Sequence, residues 1–507
     1  MSDSDSETEA SAPADEPEPT QTGRRELAWV STTYFAEGYP YAIVNNLADV
    51  MFKQLGASLE VVGLTSLFHL PWNLKFLWGP FVDQYATKRS WLLTTQVAIV
   101  ASILLLAGLA SIYAASLWPL AIAFSVLALL SATHDIAIDG FYLEALDERG
   151  QSTFVGFRAA AYKVAMVLVG GPLLWLCARL GWALGMVLAA VLMGVLLLVH
   201  TWLLPRVETP KRAASELLAR GGRRALPFAL AAVVLALIES RWSLLERWQG
   251  IWAELTARVP ALAKIGLGGW IGLGLLVSLL VLMTRLERLR ERAAQREGQR
   301  SGYAESFVSF LAQPKLGRML AFVLLFRTGE SFLLKMRWPF LADVVGLELE
   351  FYAQVNGIYG VAASILATII GGRLIARDGL RRWIWPFVLA QNVLNLLYMG
   401  LASSVDPTAL SPGLVTAVIT LEHVGSGLGT AVFMVYLMRT CDPAHKAGHF
   451  AIVSALMSVS FTLAGVFSGF LATALGFGAY FGFTFLATIP SMVLIPFVPH
   501  LDGREAS

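Results

Sequence analysis

Twelve apolar runs that are long enough to cross a bilayer constrain this chain more than any other feature. A membrane-spanning helix needs about 17–25 such residues, and it is helical because hydrocarbon offers its peptide groups no other partner. Of the 507 residues, 56% are hydrophobic and 15% are charged, whereas soluble proteins have about 25% charged residues. We therefore expect an all-α polytopic membrane protein. The runs fall at about 27–52, 59–81, 91–115, 117–143, 154–178, 181–204, 319–344, 351–376, 384–403, 412–438, 449–475 and 478–499.

The basic residues between these runs predict the orientation of the chain. Lys and Arg concentrate in the cytoplasmic loops of membrane proteins. Here they occupy alternate loops, so both termini are expected in the cytoplasm. These residues are Lys88, Arg89, Arg149, Lys211, Arg212, Arg381, Arg382 and Lys446.

One loop recurs in the second half of the chain. Residues 79–89 and 372–382 both follow a long apolar run, begin with Gly and end with a basic pair. Glycine permits close helix approach, and the basic pair anchors a tight cytoplasmic turn. Two unrelated basic loops are the alternative, but the shared position in both halves favours a duplication. The gating-loop candidates are Gly79, Asp83, Lys88, Arg89, Gly372, Arg381 and Arg382.

Two sets of six crossings predict the major facilitator fold, whose halves are related by an axis along the membrane normal. Between the halves, two further apolar stretches at about 225–242 and 265–283 have basic clusters on both sides. We expect two extra helices here; the alternative is an interfacial amphipathic segment that never crosses. The expected parts are a disordered cytoplasmic tail at 1–23, a six-helix bundle at 24–205, a central basic linker with the two-helix hairpin at 206–305, a second six-helix bundle at 306–500 and a cytoplasmic tail at 501–507.

Other classes of protein are disfavoured by what the sequence lacks. Two cysteines, Cys177 and Cys441, are too few for a disulfide framework. No Walker loop, dinucleotide fingerprint or zinc-ligand cluster occurs, so we expect no cofactor, no metal and no nucleic-acid partner. Without an ATP site, active transport has to use an ion gradient or the substrate's own gradient. We expect a monomer whose partners are a small-molecule substrate, protons and the lipid bilayer.

Several carboxylates lie inside the apolar runs, where a charge costs about 2.5–3.5 kcal/mol on insertion scales. Asp135 and Asp139 are one turn apart on one face of the fourth helix. Carboxylates so close in apolar surroundings repel each other, so one of them is expected to hold a proton reversibly. A helix-packing role, bonded to Lys75 or Lys163, is the alternative. The proton-coupling candidates are Asp135, Asp139, Glu37, Glu330 and Glu422.

Further polar side chains in these helices are candidates for lining a substrate cavity. Lys75 has the alternative of reaching the membrane surface or pairing with an acid. Arg158 is expected at the membrane edge, where it would close a turn with Asp147 or Glu148. The cavity candidates are Tyr34, Asn45, Asn46, His69, Lys75, His134, Lys163, Lys335, Asn356, Gln391, Asn392, Asn395 and His423.

Short motifs along nearly the whole chain resemble those of the AmpG-like permeases. LPWNLKFLWGP at 70–80 is similar to the signature of their second helix, and YFAEGYP at 34–40 resembles the motif of their first helix. Further matches are SATHDIAID at 131–139, GSGLGTA at 425–431, AHKAGHFA at 444–451 and GVFSG at 465–469.

This resemblance implies a proton-driven importer in the bacterial cytoplasmic membrane that carries anhydromuropeptides, the sugar-peptide fragments of cell-wall turnover. Related proteins with similar second-helix motifs include siderophore importers, and acetyl-CoA transporters form another branch, so a different solute of similar size is the alternative. A membrane enzyme and a non-transporting receptor are less favoured, because the repeated loop has no catalytic use and no nucleophile–base pair stands out.

Overall fold

The computed structural model describes residues 21–75, 78–112, 117–206, 308–404, 406–442 and 446–501, together with single positions and short pieces between 212 and 285. Within these residues, eight helices are long and apolar enough to cross a membrane. The expectation of an all-α polytopic membrane protein is confirmed. The predicted tails lie almost wholly outside the described residues, and so does the first helix of the central hairpin.

Helices of the first half are joined by short turns, and three of its crossings are interrupted. A 3-10 turn, Thr65–His69, separates α3 from α4. A π-helical turn, Ile43–Leu47, separates α1 from α2, and another, Val169–Leu173, separates α8 from α9. The helices are α1 (Gln21–Ala42), α2 (Ala48–Gln54), α3 (Leu59–Leu64), α4 (Leu70–Leu74), α5 (Gly79–Gln84), α6 (Lys88–Ile112), α7 (Trp118–Ala145), α8 (Glu148–Leu168), α9 (Leu174–Leu180) and α10 (Trp182–Leu203).

The second half has the same kind of organisation. A π-helical turn, Val355–Gly360, interrupts its second crossing, and a kink at Gly476 (φ 73°) divides the long helix α18 into two crossings. The helices are α11 (Leu316–Phe326), α12 (Thr328–Asp343), α13 (Leu349–Gln354), α14 (Val361–Asp378), α15 (Leu380–Val393), α16 (Leu396–Ala402), α17 (Pro412–Thr440), α18 (Lys446–Leu486) and α19 (Ile489–Leu494).

The contacts between the halves follow the symmetry expected of a duplication. The second crossing (α3 and α4) packs on the eleventh (α18), and the fifth (α9 and its π turn) packs on the eighth (α13 and its π turn). In two sets of six, the second crossing corresponds to the eighth and the fifth to the eleventh. The two interfaces are therefore equivalent, as a pseudo-two-fold relation between the halves requires.

Glycines let these two interfaces form at short range. A Cβ at Gly357 would lie 2.1 Å from the Cα of Gly171, and a Cβ at Gly469 would lie 2.0 Å from the carbonyl oxygen of Leu59. No other residue fits at such distances, so the backbones themselves are in contact. The contact of Gly469 with Leu59 is next to the turn at 55–58, and the contact of Gly357 with Gly171 lies in the crossing that follows the turn at 344–348. We call the end of the bundle that carries these two turns the closed end.

One piece of the central segment is described. Gly268–Ser278 is a short apolar helix, and a Cβ at Gly272 would lie 2.8 Å from the ring of Phe467 in α18. This helix therefore packs on the second half through small residues. Whether the central segment crosses twice stays a prediction.

Candidate functional site

Ion pairs hold the two halves together at the closed end. Among the described residues, three such pairs join the halves, and all three lie at this end. They are Lys53 with Asp343 (2.5 Å), Lys335 with Asp49 (2.6 Å) and Arg179 with Glu350 (2.9 Å). Deeper in the second crossing, Asn73 is hydrogen-bonded to Thr462 and Ser458 of the other half. Towards the other end, the side chains of Arg158 and Asp139 are 34% and 38% exposed, so the bundle is closed at the first end and more open towards the second.

The pair of Lys335 and Asp49 is the most buried of the three. The side chain of Lys335 is 2% exposed, and its ammonium also donates to the hydroxyl of Thr65 at 2.7 Å. Lys335 was expected to line a substrate cavity, but it is fully engaged in joining the halves. Sequence reasoning missed Asp49, although a carboxylate in the apolar first crossing was a visible signal.

Deeper in the first half, Lys75 forms an ion pair with Asp135. Asp135 is buried, and Glu37 lies beside it within hydrogen-bonding reach. The Oε2 atom of Glu37 is buried and has no hydrogen-bond partner among the residues that the structure describes. The charged groups within reach of Glu37 are Asp135 and Asp139 and the cations Lys75 and Arg158, and each cation is already paired with one of these two carboxylates. A further buried carboxyl beside two balanced pairs is favoured in its protonated form. Lys75 neutralises Asp135, so Glu37 is the group left for the proton.

Asp139 faces a different cation from Asp135. Its Oδ1 accepts hydrogen bonds from the Tyr34 hydroxyl at 2.8 Å and from Arg158 at 3.2 Å. The Arg158 guanidinium also lies 4.4 Å from the centre of the Tyr34 ring, which adds a cation–π attraction. Arg158 therefore pairs across to α7 and does not close the turn at the start of α8, where Asp147 instead caps Gly150. The two carboxylates of α7 do not face each other.

The amide and histidine candidates of the first half have separate environments. The Oδ1 atom of Asn45 accepts a hydrogen bond from Nδ1 of His69 at 2.9 Å, and His69 stacks on Trp72 at 5.5 Å between ring centres. Asn46 is exposed. His134 has no exposed surface, and its ring nitrogens have no hydrogen-bond partner within the described part of the chain. His134 therefore cannot touch a substrate in this state, contrary to the expectation from the sequence.

Glu330 is the centre of a hydrogen-bonded cluster in the second half. It accepts from Arg327 at 2.8 Å, from Gln391 at 3.0 Å and from the hydroxyl of Ser426. Its negative charge is thereby balanced within the half. The neighbouring candidates Asn392 and Asn395 are buried.

Glu422 belongs to a second cluster around Arg337. The guanidinium donates to Glu422 at 2.7 Å and to Asn356 at 2.6 Å. His423 lies 3.1 Å from the same carboxylate and also contacts the carbonyl of Ile419 at 2.8 Å. These residues link three crossings of the second half, a geometry suited to bracing the bundle.

The interior charges pair off almost completely. Five acids of the bundle interior have a basic partner, whereas Glu37 and Lys163 have no ion pair among the described residues. Lys163 is exposed and lies within electrostatic reach of Arg327 and Glu330 in the other half, so its side chain faces the opening between the halves. The five pairs are Lys75–Asp135, Arg158–Asp139, Arg327–Glu330, Lys335–Asp49 and Arg337–Glu422.

The repeated loop is built differently in the two halves. Lys88 is buried and pairs with Asp83, and its side chain fills the space beside Gly140. Arg89 donates to the carbonyl of Thr201 at 2.8 Å. In the second half, Arg382 lies 4.0 Å from Asp378 and is exposed, and Arg381 is exposed too. Gly79 and Gly372 have open space where a Cβ would be. Lys88 is thus part of the packing rather than a surface anchor.

Comparison with known proteins confirms the predicted resemblance to AmpG-like permeases. The model of the acetyl-coenzyme A transporter 1 family matches residues 30–156. The anhydromuropeptide permease of Escherichia coli K12 is 24% identical over 467 residues, covering 91% of this chain and 77% of its own. A Rickettsia felis protein named AmpG 4 is 19% identical over 474 residues, covering 91% of this chain and 93% of its own.

Solved structures confirm the major facilitator type of fold. A POT family transporter in complex with 5-aminolevulinic acid superposes with a TM-score of 0.64 at 13% identity, covering 96% of this chain and 98% of its own. The named relatives are permeases and transporters rather than enzymes. The chain is therefore a multi-pass membrane protein of the major facilitator type, and its relatives support a transporter.

Proposed function

We propose that this protein is a proton-coupled importer of anhydromuropeptides in the cytoplasmic membrane, with both termini in the cytoplasm. The observation that carries the proton coupling is the buried, unpaired carboxyl of Glu37 beside the Lys75–Asp135 pair. The sugar-peptide substrate is supported by the similarity to a named anhydromuropeptide permease over 91% of the chain.

The conformation of the bundle indicates which state of a transport cycle the structure represents. Positive charge in alternate loops places the turn at 85–87 in the cytoplasm, and this turn is at the opposite end from the closed one. The structure then corresponds to a state closed to the periplasm and open to the cytoplasm, from which an importer releases its substrate. Breaking the three inter-half ion pairs and reforming contacts at the other end would return the site to the periplasm.

Glu37 is the proton site in this mechanism. In the outward-open state it takes a proton from the periplasm, and in the inward-open state it loses this proton to the cytoplasm. Asp135 is paired with Lys75 and Asp139 with Arg158, so the mechanism needs no proton on either of them. A membrane potential of about 100 mV supplies about 2.3 kcal/mol per proton, which corresponds to about forty-fold accumulation of a neutral substrate.

The test is Glu37→Gln in proteoliposomes. Gln keeps the size and hydrogen-bonding capacity of the side chain but cannot titrate. We expect loss of concentrative uptake under an imposed pH gradient, while exchange of labelled for unlabelled substrate continues. Glu348→Gln, the same change at an exposed position, is the matched control and should behave as wild type. Concentrative uptake by Glu37→Gln at normal expression would exclude Glu37 as the proton site.

Acetyl-CoA is the second candidate substrate, because the family model that matches residues 30–156 describes an acetyl-coenzyme A transporter. A competition assay separates the two. We expect an anhydromuropeptide to block uptake of its labelled form and acetyl-CoA to have no effect. The reverse result would replace the substrate and leave the transport mechanism in place.

A further inference from the structure

Among the residues that the structure describes, Lys163 is the interior cation without an ion-pair partner, and it is exposed. We propose that Lys163 binds an anionic group of the transported substrate, a carboxylate, in the opening between the halves. This inference rests on the proposed transport function and names the substrate chemistry that the site selects.

The other interior cations are poor candidates for this task. Lys335 is 2% exposed and is bonded to Asp49, and Arg337 is 8% exposed and is bonded to Glu422. A substrate carboxylate could reach either only by displacing a protein carboxylate that is already in contact. Such a displacement leaves the protein acid buried without its partner, which is strongly unfavourable. The same argument applies to Lys75 with Asp135.

Lys163 has the position that a substrate-binding cation needs. It lies near the middle of the fifth crossing, which runs from α8 through its π turn to α9, is exposed, and is within electrostatic reach of Arg327 across the opening. The charge of Arg327 is balanced by Glu330 at 2.8 Å. An anion placed between these groups would therefore meet one uncompensated positive charge, that of Lys163, with the Arg327–Glu330 pair opposite.

The cation without an ion-pair partner lies at the same level of the bundle as the acid without one, on the adjacent helix. A Cβ at Gly38 would be 2.8 Å from the carbonyl oxygen of Tyr162, so α1 and α8 touch at this level. Glu37 and Lys163 are the residues next to this contact, and they lie on adjacent helices at similar depth. With Glu37 protonated, the interior carries one net positive charge, and with Glu37 deprotonated it is neutral. Loss of the proton therefore weakens the attraction for an anion and couples proton release to substrate release.

The experiment compares two forms of one probe in proteoliposomes: an anhydromuropeptide with free peptide carboxylates, and the same molecule with those carboxylates converted to carboxamides. Hydrogen bonds to charged groups are stronger than neutral ones, so wild type should prefer the acid form by about ten-fold or more in KM. We expect Lys163→Gln to raise KM for the acid form to that of the amide and to leave uptake of the amide unchanged. Lys163→Arg should restore the preference. Lys315→Gln, the same change at an exposed position at the start of α11, is the control.

Other outcomes overturn the inference in distinguishable ways. If wild type transports both forms equally, or if Lys163→Gln changes both forms alike, the proposed function stands and the role of Lys163 is wrong. If wild type transports neither form, the proposed substrate is wrong. The role of Lys163 is then decided with acetyl-CoA, which is also anionic, and equal binding by wild type and Lys163→Gln would refute it.

Discussion

The ammonium of Lys335 lies 2.6 Å from the Oδ1 atom of Asp49, although 286 residues separate them in the chain. One residue belongs to the seventh crossing and the other to the first, and the bond is almost completely enclosed. A transporter that alternates between two open states has to break this bond in every cycle. Its strength therefore contributes directly to the balance between the two states.

Asp49→Asn should open the closed end. The change leaves Lys335 buried without a counter-charge, which costs about 3–5 kcal/mol in measured cases. Spin labels at Gln54→Cys and Glu348→Cys, both exposed beside the closed end, would report the distance between the halves once Cys177 and Cys441 are replaced by Ala. We expect a longer distance to become populated in Asp49→Asn.

The control for this prediction is Lys53→Gln at the same end. The side chains of Lys53 and Asp343 are 14% and 43% exposed, against 2% and 17% for Lys335 and Asp49, and exposed pairs contribute only about 0–1 kcal/mol. Lys53→Gln should therefore change the distance distribution less than Asp49→Asn does. The role assigned to Asp49 is wrong if both variants give the wild-type distribution while remaining monodisperse.

A similar effect is expected from Gly357→Ala, for a steric reason. The new methyl group would lie 2.1 Å from the Cα of Gly171, so the fifth and eighth crossings have to separate. The same spin labels should show a longer distance between the halves at the closed end. Gly194→Ala adds a methyl group to α10 where nothing lies within 4 Å, and it should leave the distances unchanged. A wild-type distance distribution in Gly357→Ala would contradict the close contact.

Arg337 and Glu422 should behave as a coupled pair in stability. Each single change, Arg337→Met or Glu422→Gln, removes one partner of a buried pair and should lower the free energy of unfolding by about 3–5 kcal/mol. The double variant leaves less unpaired charge and should lose less than the sum of the single variants. A double-mutant cycle by thermal unfolding in detergent measures this coupling. Additive losses would show that the two side chains act independently.

The sequence predicts the fold because hydropathy is a local property, and every crossing needs its own apolar run. It also indicates which helices carry charge, since charged residues in lipid are costly. The partners of those charges depend on which helices are adjacent, and the spacing of residues along the chain does not show which helices are adjacent. Asp135 and Asp139 share a helix face at four-residue spacing, yet each is held by a cation from a different helix. Glu37 can be recognised as the interior acid without a basic partner only when the partners of the other acids are known.

Asp83 and Lys88 form an ion pair in the repeated loop of the first half. Asp83 is 65% exposed, whereas Lys88 is 3% exposed and packs beside Gly140. Asp83→Asn removes the charge that neutralises a buried ammonium at the end of the bundle where the halves are apart. We expect transport turnover to fall by about ten-fold, with substrate affinity changed less than three-fold, because Asp83 lies in the exposed loop after the second crossing rather than beside Lys163. Asp147→Asn is the matched control, since Asn caps a helix about as well as Asp. A large loss of affinity with normal turnover per bound complex would place Asp83 in substrate binding instead.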